Sequence, residues 1–364
     1  MHITSLVLRN FRSYEGAEVL PGEGMTVFSG PNAQGKTNIL EAMHLCCTGR
    51  SHRTSHDEEM IRWGMPAARV SILSSQKDGT HEVSVILTKG QKKKKSVRIG
   101  AREAERIGEL FGHVFGVLFS PEDLMIVKGG PSERRRFVDM QLSQLRPSYF
   151  YTLQQAAHIL VQRNALLRAI AENPSLEGTL DVWDEQLSLA GASVVRARRE
   201  VIGVLSSLAY EEHKSLTDGK EELRLRYNSE ASQKEDPAAF LLQRLHETRS
   251  EDIRRMSTGT GVHRDDIAIT INGKDARTYA SQGQQRSAVL SLKLAQTSFA
   301  EMERGEAPVL MLDDVMSELD PDRRRQLIER IGSMQTFVTC TDISDLAGAE
   351  KGRIYQVREG KLYI

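Results

Sequence analysis

One short segment near the amino end constrains the fold of this chain more than any other feature. Residues 30–37 read Gly-Pro-Asn-Ala-Gln-Gly-Lys-Thr, which fits the phosphate-loop pattern G-x-x-x-x-G-K-[ST] without a mismatch. An apolar stretch, Met25–Ser29, precedes the segment, and a helical pattern from Lys36 to about Cys47 follows it. The sequence therefore predicts a strand, a phosphate-binding turn and a helix in that order, which is the context that the motif requires.

The chemistry of a bound phosphate assigns roles to the residues of this turn. Glycines let backbone amides surround the phosphate, and the positive end of the helix dipole adds to the attraction. Lys36 is predicted to reach the terminal phosphates, and Thr37 to offer its hydroxyl to Mg²⁺. The residues predicted to contact a nucleotide here are Gly30, Pro31, Asn32, Ala33, Gln34, Gly35, Lys36, Thr37 and Asn38.

A second apolar stretch, Val309 to Leu312, ends in the two carboxylates Asp313 and Asp314. Asp313 is predicted to hold the hydration shell of Mg²⁺, so that Thr37 and Asp313 form the metal site. Asp314 faces the other way along the strand, which suits a group that polarises the attacking water. Apolar strands often end in Asp, so this pattern alone is a weak signal. It indicates a nucleotide site because the same chain also contains the phosphate loop. The predicted catalytic residues are Lys36, Asp313 and Asp314.

Charge and composition limit the classes of partner. The chain has 49 basic and 49 acidic residues, so any nucleic-acid binding must come from a local basic face. Cys46, Cys47 and Cys340 form no C-x-x-C pair, and neither a zinc site nor a disulfide framework is indicated. No apolar run approaches the roughly 18 residues that a membrane span needs, and the first residues alternate like a strand. We expect a cytoplasmic protein without a membrane partner.

Strand and helix patterns alternate in the outer thirds of the chain, whereas helical periodicity dominates from Pro131 to about Arg255. This order predicts an α/β fold with an inserted, mainly helical lobe and a short arm. Sustained heptads are absent, so a long coiled coil is not expected. The predicted domains are 1–120, the first part of the α/β lobe with the phosphate loop; 121–262, the helical lobe and arm; and 263–364, which completes the α/β lobe.

A further motif narrows the class. Ser281-Gln282-Gly283-Gln284-Gln285-Arg286 lies at the predicted start of a helix and resembles the signature of ABC ATPases, commonly L-S-G-G-Q. Ser317-Glu318-Leu319-Asp320 is similar to their D-loop. The resemblance implies an ABC-type P-loop head in which Ser281, Gly283 and Gln284 contact the nucleotide of a second copy, giving an ATP-dependent homodimer. The alternative for Ser281 is an ordinary helix N-cap.

Further short sequence motifs indicate which branch of the ABC ATPases this chain resembles. The insert is longer than in transporter ATPases and far shorter than in SMC proteins, and the chain resembles the RecF family over essentially its whole length. The RecF-like strings are residues 8–14, 48–53, 119–124, 129–139 and 263–266. Three departures are visible: no Gln follows the Phe119 strand, where Glu122 or Asp123 could serve instead; no His follows Cys340; and Gly261-Val262 stands where Gly-Pro is usual.

The RecF resemblance implies a DNA-binding protein of recombinational repair and a weak ATPase that works as a switch. ATP and Mg²⁺ are the implied ligands. The implied DNA partner is duplex near single-strand gaps, and the implied protein partners are RecR, RecO and RecA. ATP is expected to close the dimer on DNA, and slow hydrolysis to reset it.

Basic residues supply candidate DNA contacts, although a solvated hairpin tip explains them equally well. The candidates are Arg50, Arg53, Lys92, Lys93, Lys94 and Lys95. Arg134, Arg135 and Arg136 begin a predicted helix, where cations oppose the dipole, so they need carboxylate or phosphate partners. Aromatic residues do not interleave with these runs, which favours recognition of the duplex backbone over base stacking.

Three other functions compete with this interpretation. An SMC-like protein that tethers DNA would need a long coiled coil and hinge. A transporter motor subunit should carry the missing Gln and His and bind a membrane partner. An ATPase that serves a nuclease would need that nuclease on a separate chain, because no other metal-ligand pattern occurs in this sequence.

Overall fold

The chain alternates strands and helices in its outer thirds and is mainly helical in between, as predicted. A computed structural model describes residues 1–22, 24–332, 334–346 and 351–364. The predicted α/β class with a helical insert is confirmed. Within the described residues, no helix is long and apolar enough to cross a membrane.

The bounds of the regular elements are as follows. The strands are β1 His2–Phe11, β2 Tyr14–Val19, β3 Met25–Ser29, β4 Ala67–Gln76, β5 Gly79–Thr88, β6 Lys95–Ile99, β7 Arg102–Glu103, β8 Gly116–Phe119, β9 Leu223–Asn228, β10 Asp266–Ile271, β11 Lys274–Asp275, β12 Val309–Asp313, β13 Thr336–Cys340, β14 Lys351–Arg358 and β15 Lys361–Tyr363. The α-helices are α1 Lys36–Thr48, α2 Met125–Lys128, α3 Pro131–Leu145, α4 Pro147–Glu172, α5 Leu180–Leu216, α6 Pro237–Glu247, α7 Arg249–Arg255, α8 Ala276–Tyr279, α9 Gln282–Arg304 and α10 Pro321–Ile331.

The chain forms two compact units. The first comprises Met1–Asp123 with Leu290–Ile364, and the second comprises Leu124–Val289. The sequence instead predicted divisions after residues 120 and 262. The later division differs because β10 pairs along its length with β9, from Asp266↔Asn228 to Ile271↔Leu223, so this strand is hydrogen-bonded into the second unit.

The first unit contains two sheets that share one core. One is antiparallel, with the strand order β2-β1-β4-β5-β6-β7, and the other has the order β15-β14-β3-β13-β12-β8. In the second sheet β3, β13, β12 and β8 are parallel. Ile39, Leu40 and Met43 of α1 are fully buried among side chains of both sheets. Because parallel strands end at one edge, the turn after β3 and the carboxylates that end β12 meet there.

The second unit is built around α4 and α5, which pack against each other. Arg163 of α4 is fully buried and donates to Asp184 at 2.6 Å and to Asp252 at 2.8 Å. A buried guanidinium requires carboxylate partners of this kind, because removing one partner leaves an uncompensated charge. Each carboxylate comes from a different helix, so this ion pair network joins α4, α5 and α7.

Two of the three arginines near the start of α3 have protein partners inside this unit. Arg134 binds both carboxylate oxygens of Asp266, at 2.8 and 3.0 Å. Arg135 donates to the backbone carbonyl of Asp265 at 2.6 Å. For Arg134 the structure therefore favours the carboxylate alternative over a phosphate.

Candidate nucleotide-binding site

The turn that follows β3 has a backbone that other residues could not adopt without strain. Gly30 has φ +154°, and a Cβ at this position would lie 2.4 Å from the carbonyl oxygen of Val357. Gly35, at φ +107°, is the residue before α1, and a Cβ there would lie 2.7 Å from Oγ of Ser13. The two glycines of the motif thus allow close backbone approach, so the turn can wrap tightly around a phosphate.

Lys36 begins α1 and folds back over the turn. Its ammonium donates to the carbonyl oxygens of Gly30 at 2.5 Å and Pro31 at 2.9 Å. Burial lowers the pKa of Lys36, while the nearby carboxylates of Asp314 and Asp313 oppose this effect. The ammonium therefore lies inside the turn with negative charge nearby, and an added phosphate would meet it there.

Thr37 and Asp313 are joined directly. The Thr37 hydroxyl donates to Oδ1 of Asp313 at 2.9 Å, and the Thr339 hydroxyl donates to the same oxygen at 2.8 Å. Burial raises the pKa of Asp313, although both hydrogen bonds act against the rise and the charge of Glu122 adds to it. A hydroxyl beside a carboxylate is the donor chemistry that Mg²⁺ prefers, so these residues fit that ion.

Asp314 has a left-handed backbone, with φ +54°, whereas Asp313 ends the regular strand. The backbone amide of Asp314 donates to the Thr339 hydroxyl at 2.9 Å. Thr339 thus binds both acidic positions, although no motif of the sequence assigns a role to it. Left-handed conformations of residues other than glycine are uncommon and collect at functional sites.

These residues line a cleft of about 340 Å³ in the first unit. Its lining residues are Asn32, Ala33, Gly35, Lys36, Thr37, Asn38, Arg53, Asp314 and Thr339. Most are polar or charged, which suits the phosphates of a nucleotide. The structure thus brings the phosphate loop and the acidic strand together at one cleft.

Arg53 lies in this cleft, although the sequence assigned it to a DNA-binding face. Its Nη1 donates to Oδ1 of Asn38 at 3.0 Å and lies 3.5 Å from Oε2 of Glu41. Both partners belong to α1, the helix that carries Lys36 and Thr37. A charged Glu within the apolar pattern of that helix was the available sequence signal for such a partner, and the sequence interpretation missed it.

The other candidate DNA contacts lie away from this cleft lining, on the β5–β6 hairpin and after α1. Three lysines of the run form ion pairs: Lys93 with Glu103 at 2.7 Å, Lys94 with Glu58 at 2.9 Å and Lys95 with Asp57 at 2.7 Å. Lys92 and Arg50 are exposed.

The structure distinguishes the two acids that follow β8. Asp123 accepts a hydrogen bond from the amide of Ser120 at 2.8 Å and pairs with Lys293 at 3.4 Å. Glu122 is exposed, and its charge acts on Asp313. Because β8 and β12 are parallel, with Leu312 opposite Phe119, Glu122 follows the strand beside the acidic one.

The signature segment belongs to the second unit and is described there by itself. Ser281 and Gln284 form a reciprocal cap at the start of α9. The Gln284 amide donates to the Ser281 hydroxyl at 3.2 Å, and the Ser281 amide donates to the Gln284 side chain at 2.9 Å. Gln284 also donates to Glu221 at 3.0 Å. The Ser281 hydroxyl therefore acts as an N-cap in this structure, and Ser281 itself is exposed.

Comparison with known proteins gives consistent matches over nearly the whole chain. Residues 2–361 match the family described as RecF/RecN/SMC N terminal domain. The chain is 44% identical to the DNA replication and repair protein RecF of Ruminiclostridium cellulolyticum over 347 residues, which cover 94% of this chain and 93% of that protein.

Solved structures agree with the sequence matches. A structure of the recombination mediator protein RecF with ATP, in the RecFOR pathway, is 33% identical and has a TM-score of 0.92, covering 99% of this chain and 96% of that one. The Smc head domain of Pyrococcus furiosus, with an extended coiled coil, is 18% identical with a TM-score of 0.59 over 99% of this chain and 95% of that one. The second likeness concerns the fold alone.

Proposed function

This chain belongs to the RecF family of DNA replication and repair proteins, and from that premise we propose that it is an ATP-dependent DNA-binding protein of recombinational repair in the cytoplasm. It dimerises on ATP, binds duplex DNA near single-strand gaps and helps RecO and RecR to load RecA. Slow hydrolysis of ATP resets it. The solved RecF structure with ATP supports the choice of nucleotide.

One observation carries the proposal, namely the contact between Thr37 of the phosphate loop and Asp313 of the acidic strand at 2.9 Å. It supports a shared nucleotide and metal site at the carboxyl edge of the parallel sheet. Bound there by Thr37 and Asp313, Mg²⁺ would neutralise charge on the β- and γ-phosphates.

The side chains of the chain then have distinct tasks. Backbone N–H groups of residues 32–35 and the Lys36 ammonium bind the phosphates and orient them. Arg53, in the same cleft, donates to the terminal phosphate. The carboxylate of Asp314 accepts a hydrogen bond from the attacking water, which polarises that water and aligns it with the γ-phosphorus. Thr339 fixes both acids by its hydrogen bonds to them.

Dimerisation follows from the second unit. The amino end of α9, with the exposed Ser281 and the half-buried Gly283 and Gln284, is an anion-attracting helix terminus. In the dimer each such end contacts the γ-phosphate held by the other copy. Loss of that phosphate removes the contact, so hydrolysis opens the dimer and releases the DNA.

Fluorescence anisotropy with a gapped duplex, with and without ATP, tests this function. Tight binding only with ATP, abolished by Lys36→Met and by Ser281→Arg, is the expected result. Ser281→Arg should still bind ATP but remain monomeric. Ser193→Arg, at another exposed serine of the second unit, is the matched control and should bind DNA normally. A Ser281→Arg protein that dimerises and binds DNA would contradict the shared site.

A further inference from the structure

Glu41 is a fully buried carboxylate on α1. It accepts two hydrogen bonds from Arg12, at 2.9 Å from Nε and 2.6 Å from Nη2, and one from the Ser51 hydroxyl at 2.5 Å. Burial alone raises the pKa of Glu41, but the hydrogen bonds from Arg12 and Ser51 outweigh it and the pKa lies below its usual value. The side chain is therefore ionised, with a charge fixed inside the first unit.

Arg53 is the second cation at this carboxylate, and it is held more loosely than Arg12. Its Nη1 lies 3.5 Å from Glu41 and donates to Asn38 at 3.0 Å. Asn38 and Glu41 are three residues apart and share one face of α1. The guanidinium side chain is 40% exposed, so several of its five donors stay open to the nucleotide cleft.

The same carboxylate also fixes the backbone beneath Arg53. The Ser51 oxygen that donates to Glu41 accepts from the amides of Arg53 at 2.9 Å and Thr54 at 3.1 Å. Arg12, the other strong partner, donates to the carbonyl of Glu59 at 2.8 Å. Through these two partners, Glu41 anchors both ends of the segment from residue 51 to residue 59.

The charges around Glu41 do not balance on the side of the cleft. One buried carboxylate faces two guanidinium groups, and the shorter bonds belong to Arg12. The charge of Arg53 is therefore only partly compensated on the side of the cleft, where Lys36 and Thr37 also lie. Two oxygens of one phosphate can accept a bidentate pair of hydrogen bonds from a planar guanidinium.

We propose that Glu41 is a positioning residue for the nucleotide: its buried charge holds Arg53 at the cleft wall, where the guanidinium meets the terminal phosphate. This inference rests on the proposed ATP site and deepens it. Glu41 itself does not contact the nucleotide. Its effect on binding passes through Arg53, and this dependence makes the proposal testable.

A double-mutant cycle between Glu41 and Arg53 measures that dependence. Equilibrium titration with a fluorescent ATP analogue is expected to show about tenfold weaker binding for Arg53→Ala, since a charged hydrogen bond is lost. Glu41→Gln should weaken binding by a similar factor, and Glu41→Asp, which keeps the charge, by less. In the Arg53→Ala background, Glu41→Gln should cause no further loss. If Glu41→Gln fails to fold, the same cycle is run with Glu41→Asp.

Asp184→Asn is the matched structural control, because Asp184 is also a buried carboxylate bound by two arginines, Arg163 and Arg249. Asp184→Asn should lower the melting temperature, as Glu41→Gln should, but leave nucleotide affinity unchanged. Independent, multiplying losses in the cycle, or an equal loss of affinity in Asp184→Asn, would overturn the proposal. The proposal would also be overturned if Arg53→Ala bound the nucleotide normally while Lys36→Met lost nucleotide binding. Normal binding by both variants would instead refute the proposed nucleotide site.

Discussion

The hydroxyl of Thr37 donates a hydrogen bond to Oδ1 of Asp313 at 2.9 Å, although 276 positions separate the two residues in the chain. The parallel pairing of β12, β13 and β3 brings them together, because all three strands end at the same edge. Thr339, at the end of the intervening strand, completes the arrangement by binding the same oxygen at 2.8 Å. The phosphate loop and the acidic strand are therefore joined directly at one edge of the sheet.

Asp314→Asn should bind ATP with normal affinity and hydrolyse it at least about 100-fold more slowly, since it loses the base that polarises water. Asn tolerates the left-handed backbone found at this position, so the fold should be preserved. Single-turnover hydrolysis, alongside ATP binding, provides the measurement. Asp322→Asn, at an exposed acid of the same unit, is the control. Normal hydrolysis by Asp314→Asn would show that another group polarises the water.

Gly30→Ala should lower the free energy of unfolding by at least about 2 kcal/mol, because its Cβ would lie 2.4 Å from a backbone oxygen at a positive φ. The control is Gly203→Ala in α5, where a Cβ meets nothing within 4 Å. That change should stabilise the protein by roughly 0.5–1 kcal/mol, since alanine favours the helix. Urea titration of both variants decides the matter, and equal stability of Gly30→Ala and the parent would contradict the prediction.

Local motifs predicted the elements that depend on local sequence. The strand before the phosphate loop and the start of α1 at Lys36 both follow from residues within a few positions of each other. The direction of a side chain did not follow in this way. The sequence places Arg53 on a basic surface. Its partners Asn38 and Glu41 lie on α1, and these tertiary contacts direct its side chain to the cleft.

The same limit explains the predicted division at residue 262. The apolar alternation from Ile267 to Ile271 is typical of a strand, but it does not indicate the partner. Pairing with β9 assigns β10 to the second unit. Strand partners at long sequence separation are not encoded in the periodicity of either strand.

His52 should make the stability of the protein depend on pH between about 4 and 6.5. Burial lowers the pKa of His52 from 6.5 to about 4. The folded state then binds fewer protons than the unfolded state in this window, so stability is complete above pH 6.5 and falls as the pH drops toward 4. The loss amounts to at most roughly 3 kcal/mol. Urea denaturation at several pH values measures it.

His52→Phe separates this titration from other acid effects. Both ring nitrogens of His52 are buried without a hydrogen-bond partner, and the ring packs edge-on against His44 at 5.4 Å between centroids. Phenylalanine keeps that contact and carries no proton, so the decline between pH 6.5 and 4 should flatten. His56→Phe, at an exposed histidine, should retain the decline of the parent protein. An unchanged pH profile in His52→Phe would refute the assignment.

The lysine run gives the last prediction, which concerns how many of its members contact DNA. Lys93, Lys94 and Lys95 each form an ion pair with an acid, whereas Lys92 is exposed next to them. Exposed ion pairs such as those of Lys93 and Lys94 are worth at most about 1 kcal/mol, so phosphates could displace their acids.

The slope of log affinity against log salt concentration counts the phosphates that the protein neutralises, at about 0.9 per contact. Changing all four lysines to Gln should reduce this slope by roughly 3 to 4 if every lysine contacts a phosphate, and Lys92→Gln alone by about 1. Lys220→Gln, at an exposed lysine of the other unit, should leave it unchanged. A reduction of about 1 in the fourfold variant would mean that Lys93, Lys94 and Lys95 stay paired with their acids and that Lys92 alone contacts DNA. No reduction would mean that the lysine run is a solvated hairpin tip without DNA contacts.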